Sequence, residues 1–245
     1  MKRNYRKILV LALIIVGISG CSSKTAETID TSQQHLIWHD EREKAFGMFD
    51  YPKISEREAI DLLTNKFQVK LPAFLEQTKQ MFQEEILTSS IQEAEPEYSI
   101  FARGDQLQIR GFYPFNHQNE LAVFAYIDLV YKFDKENKQV KLTTQSLSMS
   151  NYGSDALYPN DNFYELVQRA GKLIGLPKVE QDRAIDNFKN DYEEIEQRPT
   201  NEKIVLFSND DEANEKKKLS QAMRIGFNEH REMREIYAVL VDYSE

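Results

Sequence analysis

The chain has 245 residues, of which 41% are apolar and 29% charged, and its formal net charge is −9. This composition is typical of one globular domain with extra segments, and nine Gly and seven Pro exclude collagen-like or wholly disordered chains. The single Cys excludes a disulfide framework and a Cys-based zinc site.

The N-terminus has the plan of a secretory signal peptide. Four basic residues lie within the first seven positions, and the eleven residues from Ile8 to Ile18 carry no charge. As a helix this apolar run would be about 16 Å long, half of a hydrocarbon core, which is too short for a stable membrane span. The sequence therefore predicts a signal peptide at residues 1–20.

A short motif ends this segment: Ile18, Ser19, Gly20 and Cys21. It resembles the lipobox of bacterial lipoprotein precursors, in which an aliphatic residue and two small residues precede an obligatory Cys. The resemblance implies cleavage between Gly20 and Cys21 and attachment of a diacylglycerol to the Cys21 sulfur. Two acyl chains, at about 0.8 kcal/mol per buried CH₂, would give a stable anchor in the lipid bilayer.

The expected location is therefore the outer face of a bacterial cytoplasmic membrane. A Gram-positive source is expected, although no particular residue specifies it. The released signal peptide, which ends at Gly20, also resembles the apolar peptide pheromones that some lipoprotein precursors release.

The predicted mature chain is strongly acidic. Residues 1–20 hold four basic and no acidic residues, which leaves 27 basic against 40 acidic residues and a net charge of −13. Phosphate backbones and anionic headgroups repel such a surface, so no nucleic-acid partner is expected.

The mature chain is expected to have two parts. Residues 21–45 are predicted to be the lipidated N-terminus and a flexible tether, because they are mostly polar. The apolar patch Leu36–Trp38 is the first segment expected to dock on the fold. Residues 46–245 are predicted to form a single α+β domain, with a possible sub-boundary near Tyr152.

The domain begins with a predicted αα-hairpin. Ser55 and Glu58 have the spacing of a capping box, which predicts a helix start. Pro72 favours the first turn of a second helix.

Alternating apolar residues then predict four antiparallel strands between Tyr98 and Met149. In the fourth strand the apolar residues change from even to odd positions around Thr143 to Ser146. This change predicts a β-bulge or a strand break.

The C-terminal part is predicted to contain helices and one or two strands. Gly175 and Pro177 indicate the end of a helix that starts near Phe163. Further helices are predicted around Ala184–Ile195 and over Asp211–Met223, and strands over Ile204–Phe207 and Ile236–Tyr243. The expected fold class is α+β, with an antiparallel meander of about four strands flanked by helices.

The predicted sheet is rich in aromatic residues, which could line a groove for a glycan, a peptide or an apolar ligand. The residues proposed for such a groove are Arg110, Tyr113, His117 and Tyr126. The alternative is that these aromatic residues are ordinary strand formers in a core. Asp128 lies within an apolar strand, and Lys132 is its expected same-face partner.

Two further motifs have a simpler explanation than function. His35 and His39 have a metal-ligand spacing, but zinc would need a third ligand, and no metal site is predicted. The tripeptide Arg103–Asp105 resembles the integrin-recognition motif, yet Gly-Asp is also favourable hairpin chemistry.

No catalytic motif is recognisable, and the sequence indicates no cofactor. The leading hypothesis is a non-enzymatic lipoprotein whose domain binds an envelope protein or another envelope ligand. A solute-binding lipoprotein of a transporter is the alternative, and an envelope hydrolase is a third hypothesis.

Overall fold

The computed structural model describes residues 31–153 and 163–244. In these residues ten strands form one antiparallel sheet. The strands are β1 (His39–Glu41), β2 (Gly47–Ile54), β3 (Ile91–Glu93), β4 (Glu97–Gly104), β5 (Gln106–His117), β6 (Glu120–Asp134), β7 (Gln139–Asn151), β8 (Lys203–Ser208), β9 (Leu219–Phe227) and β10 (Met233–Asp242).

The described part of the chain also contains five α-helices: α1 (Glu56–Asp61), α2 (Ala73–Ile86), α3 (Phe163–Leu173), α4 (Lys178–Tyr192) and α5 (Asp210–Lys216). Helix α1 continues as a π-helical turn at Leu62–Lys66, and short 3₁₀ turns lie at Thr31–Leu36 and Ile195–Gln197. The predicted capping box of α1 is confirmed, since the Ser55 hydroxyl accepts from the Glu58 amide and the Glu58 carboxylate accepts from the Ser55 amide.

The predicted fold class is wrong in the size of the sheet. The four strands expected between Tyr98 and Met149 are β4 to β7, but the strand order is β2-β4-β5-β6-β7-β10-β9-β8. The short strands β1 and β3 pair with β7 and β5. Because β7 pairs with β10, the strands before and after Tyr152 belong to the same sheet.

The helix predicted over Asp211–Met223 is confirmed only as far as Lys216, and its second half is wrong. Helix α5 ends at Lys216, the left-handed Lys217 (φ 53°) follows, and β9 begins at Leu219. Leu219, Ala222 and Met223 have helical spacing in the sequence. In the structure nearly every residue of β9 is buried, so the strand lacks the alternation by which a strand is recognised.

The apolar patch at residues 36–38 packs against the core, as predicted. The Trp38 ring lies 5.5 Å from the Tyr131 ring, edge to face, and the Trp38 carbonyl accepts from the Leu142 amide. The left-handed Gly175 (φ 71°) lies against Leu36, where a Cβ would come within 2.1 Å of the Leu36 Cδ1. The signal peptide, the cleavage site and Cys21 lie outside the described residues.

One face of the sheet forms the core beneath helices α1 to α4. Paired residues run across this face in a buried row: Gly111, Ile127, Leu147, Ala238 and Met223. The bulge predicted between Thr143 and Ser146 is confirmed, since Val130 pairs with Thr144 and Tyr131 with Leu142. Thr143 is the extra residue, and its hydroxyl donates to the Val130 carbonyl.

A buried tyrosine pair joins α1 to this face. The hydroxyls of Tyr98 and Tyr113 are 2.5 Å apart, and the Tyr98 hydroxyl also donates to the Glu56 carboxylate at 3.1 Å. Glu56 in turn accepts from Lys79 of α2. Burial raises the pKa of both tyrosines, so both hydroxyls stay protonated and can donate.

We expect Tyr98→Phe to lower the free energy of unfolding by about 1–3 kcal/mol, because it removes the partner of one buried hydroxyl and one carboxylate. Tyr113→Phe should cost less, since Tyr98 would still donate to Glu56. Urea unfolding of the purified variants measures both, with the exposed Tyr152→Phe as control. The reverse order of the two losses would contradict this account of the pair.

Candidate functional site

The other face of the sheet carries a groove. Strands β5, β6, β7 and β10 are neighbours, and their register aligns alternate side chains in rows across this face. One row contains Tyr126, Ser148 and Tyr237, and the next contains Phe124, Ser150 and Glu235. Large side chains on β6 and β10 therefore stand on either side of small ones on β7.

An ion pair lies at one end of the groove. Arg110 donates to both carboxylate oxygens of Asp128, at 2.7 and 3.1 Å. The guanidinium carbon also lies 5.2 Å from the centre of the Tyr126 ring, within cation–π range. Hydrogen bonding to Asp128 raises the pKa of Arg110, so the guanidinium stays charged. The two bonds also hold the guanidinium in one orientation.

An aromatic cluster forms the wall on β5 and β6. The Tyr126 ring lies 5.2 Å from Phe112 and 5.6 Å from Phe124, and Tyr152 extends the cluster at 6.4 Å from Phe124. Tyr152 is 61% exposed, whereas the other three are half-buried. These rings therefore present surface to solvent instead of filling the core.

Hydroxyl groups form the floor and the second wall. Ser146 and Ser150 are buried, and Ser148 between them is half-buried. Burial raises the pKa of Tyr237 and the Asp128 carboxylate raises it further, against the opposite effect of the nearby Ser146 hydroxyl, so Tyr237 keeps its proton at neutral pH.

The groove has a volume of about 330 Å³. Its lining has no net charge at neutral pH, because two arginines balance one aspartate and one glutamate. The lining residues are Arg110, Phe124, Tyr126, Asp128, Ser148, Ser150, Arg234, Glu235 and Tyr237. Both carboxylates are in ion pairs, Asp128 with Arg110 and Glu235 with Lys203 at 2.8 Å. The arrangement offers ring faces and hydrogen-bonding groups that suit reversible binding.

The structure brings together two of the four residues proposed for a groove. Arg110 and Tyr126 line it. Tyr113 lies on the opposite, buried face of the sheet, where it pairs with Tyr98. His117 lies at the end of β5 and lines a separate, polar cavity of about 490 Å³ beside the turn residues Gln118 and Asn119.

Sequence reasoning missed several groove residues. The partner of Asp128 is Arg110 on the neighbouring strand, not Lys132. Tyr237 gave no signal of its own, because its importance comes from the pairing of β10 with β7. The alternating serines of β7 were the available sign of a strand with one open face.

The Arg103–Asp105 tripeptide and the His35/His39 pair take no part in the groove. Arg103 is engaged at the β4–β5 hairpin, where it donates to the Asp50 carboxylate and the Phe49 carbonyl, both at 2.9 Å. His35 lies in a 3₁₀ turn and His39 in β1, so they do not share a helix. Within residues 31–153 and 163–244, no three His, Cys, Asp or Glu side chains are grouped to hold a metal ion.

Comparisons of the chain with family models, with curated proteins and with solved structures found no match. Among the described residues, no helix has the length and apolar character needed to span a membrane.

We expect Asp128→Asn to lower the free energy of unfolding by about 1 kcal/mol or less, because the Arg110 side chain is half exposed and solvent weakens the ion pair. Chemical denaturation measures the loss. Asp50→Asn, which breaks the exposed Arg103–Asp50 pair of the same sheet, is the matched control. A loss of several kcal/mol for Asp128→Asn alone would show that the pair is needed for folding.

Proposed function

We propose that this protein is a lipid-anchored binding protein of the bacterial envelope. Cys21 attaches it to the outer face of the cytoplasmic membrane, and the groove on the open sheet face binds an envelope ligand without catalysis.

The lipobox resemblance supports the anchor. Ser19 and Gly20 place small residues at the cleavage site after the aliphatic Ile18, and the single Cys of the chain stands where the lipid must be attached. A thiol is the soft nucleophile that this modification requires.

The groove is the observation that carries the binding function. Half-buried rings, a fixed arginine–carboxylate pair and hydroxyls converge on one open surface. Apolar rings are usually buried in the core, where they are removed from water. Phe124 and Tyr126 instead lie on the open face, which favours contact with a partner.

The transporter alternative receives less support. Solute-binding lipoproteins usually have two α/β lobes with parallel sheets around a cleft. In the residues that the structure describes, all strands pair in one antiparallel sheet, and the groove lies on its face.

Cys21→Ser should abolish incorporation of an alkyne-tagged fatty acid, because a hydroxyl does not replace the thiolate nucleophile. The labelled protein is detected in membranes of cells that express the full chain. Ser22→Ala is the control and should be labelled normally. Normal labelling of Cys21→Ser would refute the anchor.

Photo-crosslinking on intact cells tests the groove. We expect p-benzoylphenylalanine at position 152 to give a crosslinked product, and the same group at position 179 to give none. Tyr152 and Val179 are similarly exposed, but Val179 lies on α4, on the helix side of the sheet. The product should decrease with Asp128→Asn, and equal yields at the two positions would count against the groove.

A further inference from the structure

We propose that the groove binds an uncharged polysaccharide built of pyranose rings. This inference rests on the proposed binding function and names the chemical class of its ligand.

The charges of the groove favour an uncharged ligand. Its lining holds two arginines and two carboxylates, and each carboxylate is already in an ion pair, Asp128 with Arg110 and Glu235 with Lys203. A polyanion would meet two carboxylates and the acidic surface of the chain, and a polycation would meet two arginines. A ligand without charge meets neither penalty, because polar hydroxyls can bond to the pairs without separating them.

The position of the groove disfavours an extended peptide. Peptides that add to a sheet use the unpaired backbone groups of an edge strand. Strand β7 forms the floor and pairs with β6 on one side and with β10 on the other, so its backbone groups are already bonded here. The ligand must therefore be recognised by side chains.

The shape of the groove favours a linear molecule. The walls on β6 and β10 are two strand spacings apart, about 9–10 Å between backbones. The serine floor from Ser146 to Ser150 extends about 13 Å along β7. A trough of this form accommodates a few linked rings that lie along the strand.

The side chains match the two surfaces of a pyranose ring. The C–H groups of a sugar pack favourably against aromatic rings, and the half-buried rings of Tyr126 and Phe124 line the groove. Neighbouring hydroxyls of a sugar can bond to the fixed Arg110–Asp128 pair and to Ser148. An apolar ligand would leave these polar groups without water or partner, at a cost.

Calorimetric titration of the full-length lipidated protein tests this inference. The protein is held in a polyoxyethylene detergent, because glycoside detergents would compete for the groove. The probes are N-acetylglucosamine hexamer, cellohexaose and maltohexaose. We expect saturable binding of at least one probe, with a dissociation constant that changes less than about twofold between low and high salt.

Phe124→Ala should weaken that binding about tenfold, and Asp128→Asn should also weaken it. Phe101→Ala is the matched control, since Phe101 lies on the same face but outside the groove lining, and it should change the affinity less than about twofold. Since Asp128→Asn is expected to cost little stability, a cooperative urea transition of this variant that begins well above the titration conditions would separate lost binding from lost folding.

Three results would overturn the inference. The first is no binding of any probe at millimolar concentration, and the second is an equal loss of affinity in Phe124→Ala and Phe101→Ala. The third is preferential, salt-dependent binding of the polyanion polyglycerol phosphate, titrated in the same way. If crosslinking at position 152 still captures a partner on cells, the ligand class is wrong and the binding function stands. If crosslinking fails as well, both proposals fail.

Discussion

The register of the central strands is the constraint on which the rest of this fold depends. A shift of one residue in a strand exchanges its two faces. Two bulges set the register. In β6 the extra residue is Ala122, since Phe115 pairs with Val123 and Asn116 with Leu121, and in β7 the extra residue is Thr143. Without the second bulge, Leu147 and Met149 would face solvent, and the serines of β7 would lie under the helices. The two bulges therefore keep one face of these strands apolar and leave a mixture of aromatic and polar side chains on the other.

The two faces of the sheet differ in burial and therefore in what their side chains contribute. On the covered face, side chains such as Ile127 and Leu147 are almost fully buried, and the tyrosine pair with Glu56 holds helix α1 in place. A change there is expected to cost stability. On the open face, Arg110 and Tyr126 contact solvent, so their identity is less restricted by packing. The sheet thus separates the residues that stabilise the protein from the residues that can bind a ligand.

Much of the local structure could be predicted from the sequence, because local signals determine it. The capping box at Ser55, the stop at Gly175 and the bulge at Thr143 were all visible in residue order. Strand β2 was not predicted, since Pro52 and the left-handed Lys53 interrupt its alternation. The groove depends on non-local pairing. If the strands paired without a bulge from His117–Glu120 onward, Arg110 would lie opposite Ile127. The bulge at Ala122 of β6 shifts the register by one residue, so that Arg110 lies opposite Asp128.

The proposed anchor and the shallow groove are compatible in energetic terms. A groove of about 330 Å³ would bury little ligand surface, so each binding event would be weak. A lipid anchor confines the domain to the membrane surface, and a polymeric ligand offers many equivalent segments within reach. Both effects raise the local concentration of sites and increase the occupied fraction without new contacts. The acidic net charge would add selectivity for the proposed ligand, because it repels anionic polymers over about a Debye length, whereas an uncharged glycan would approach freely.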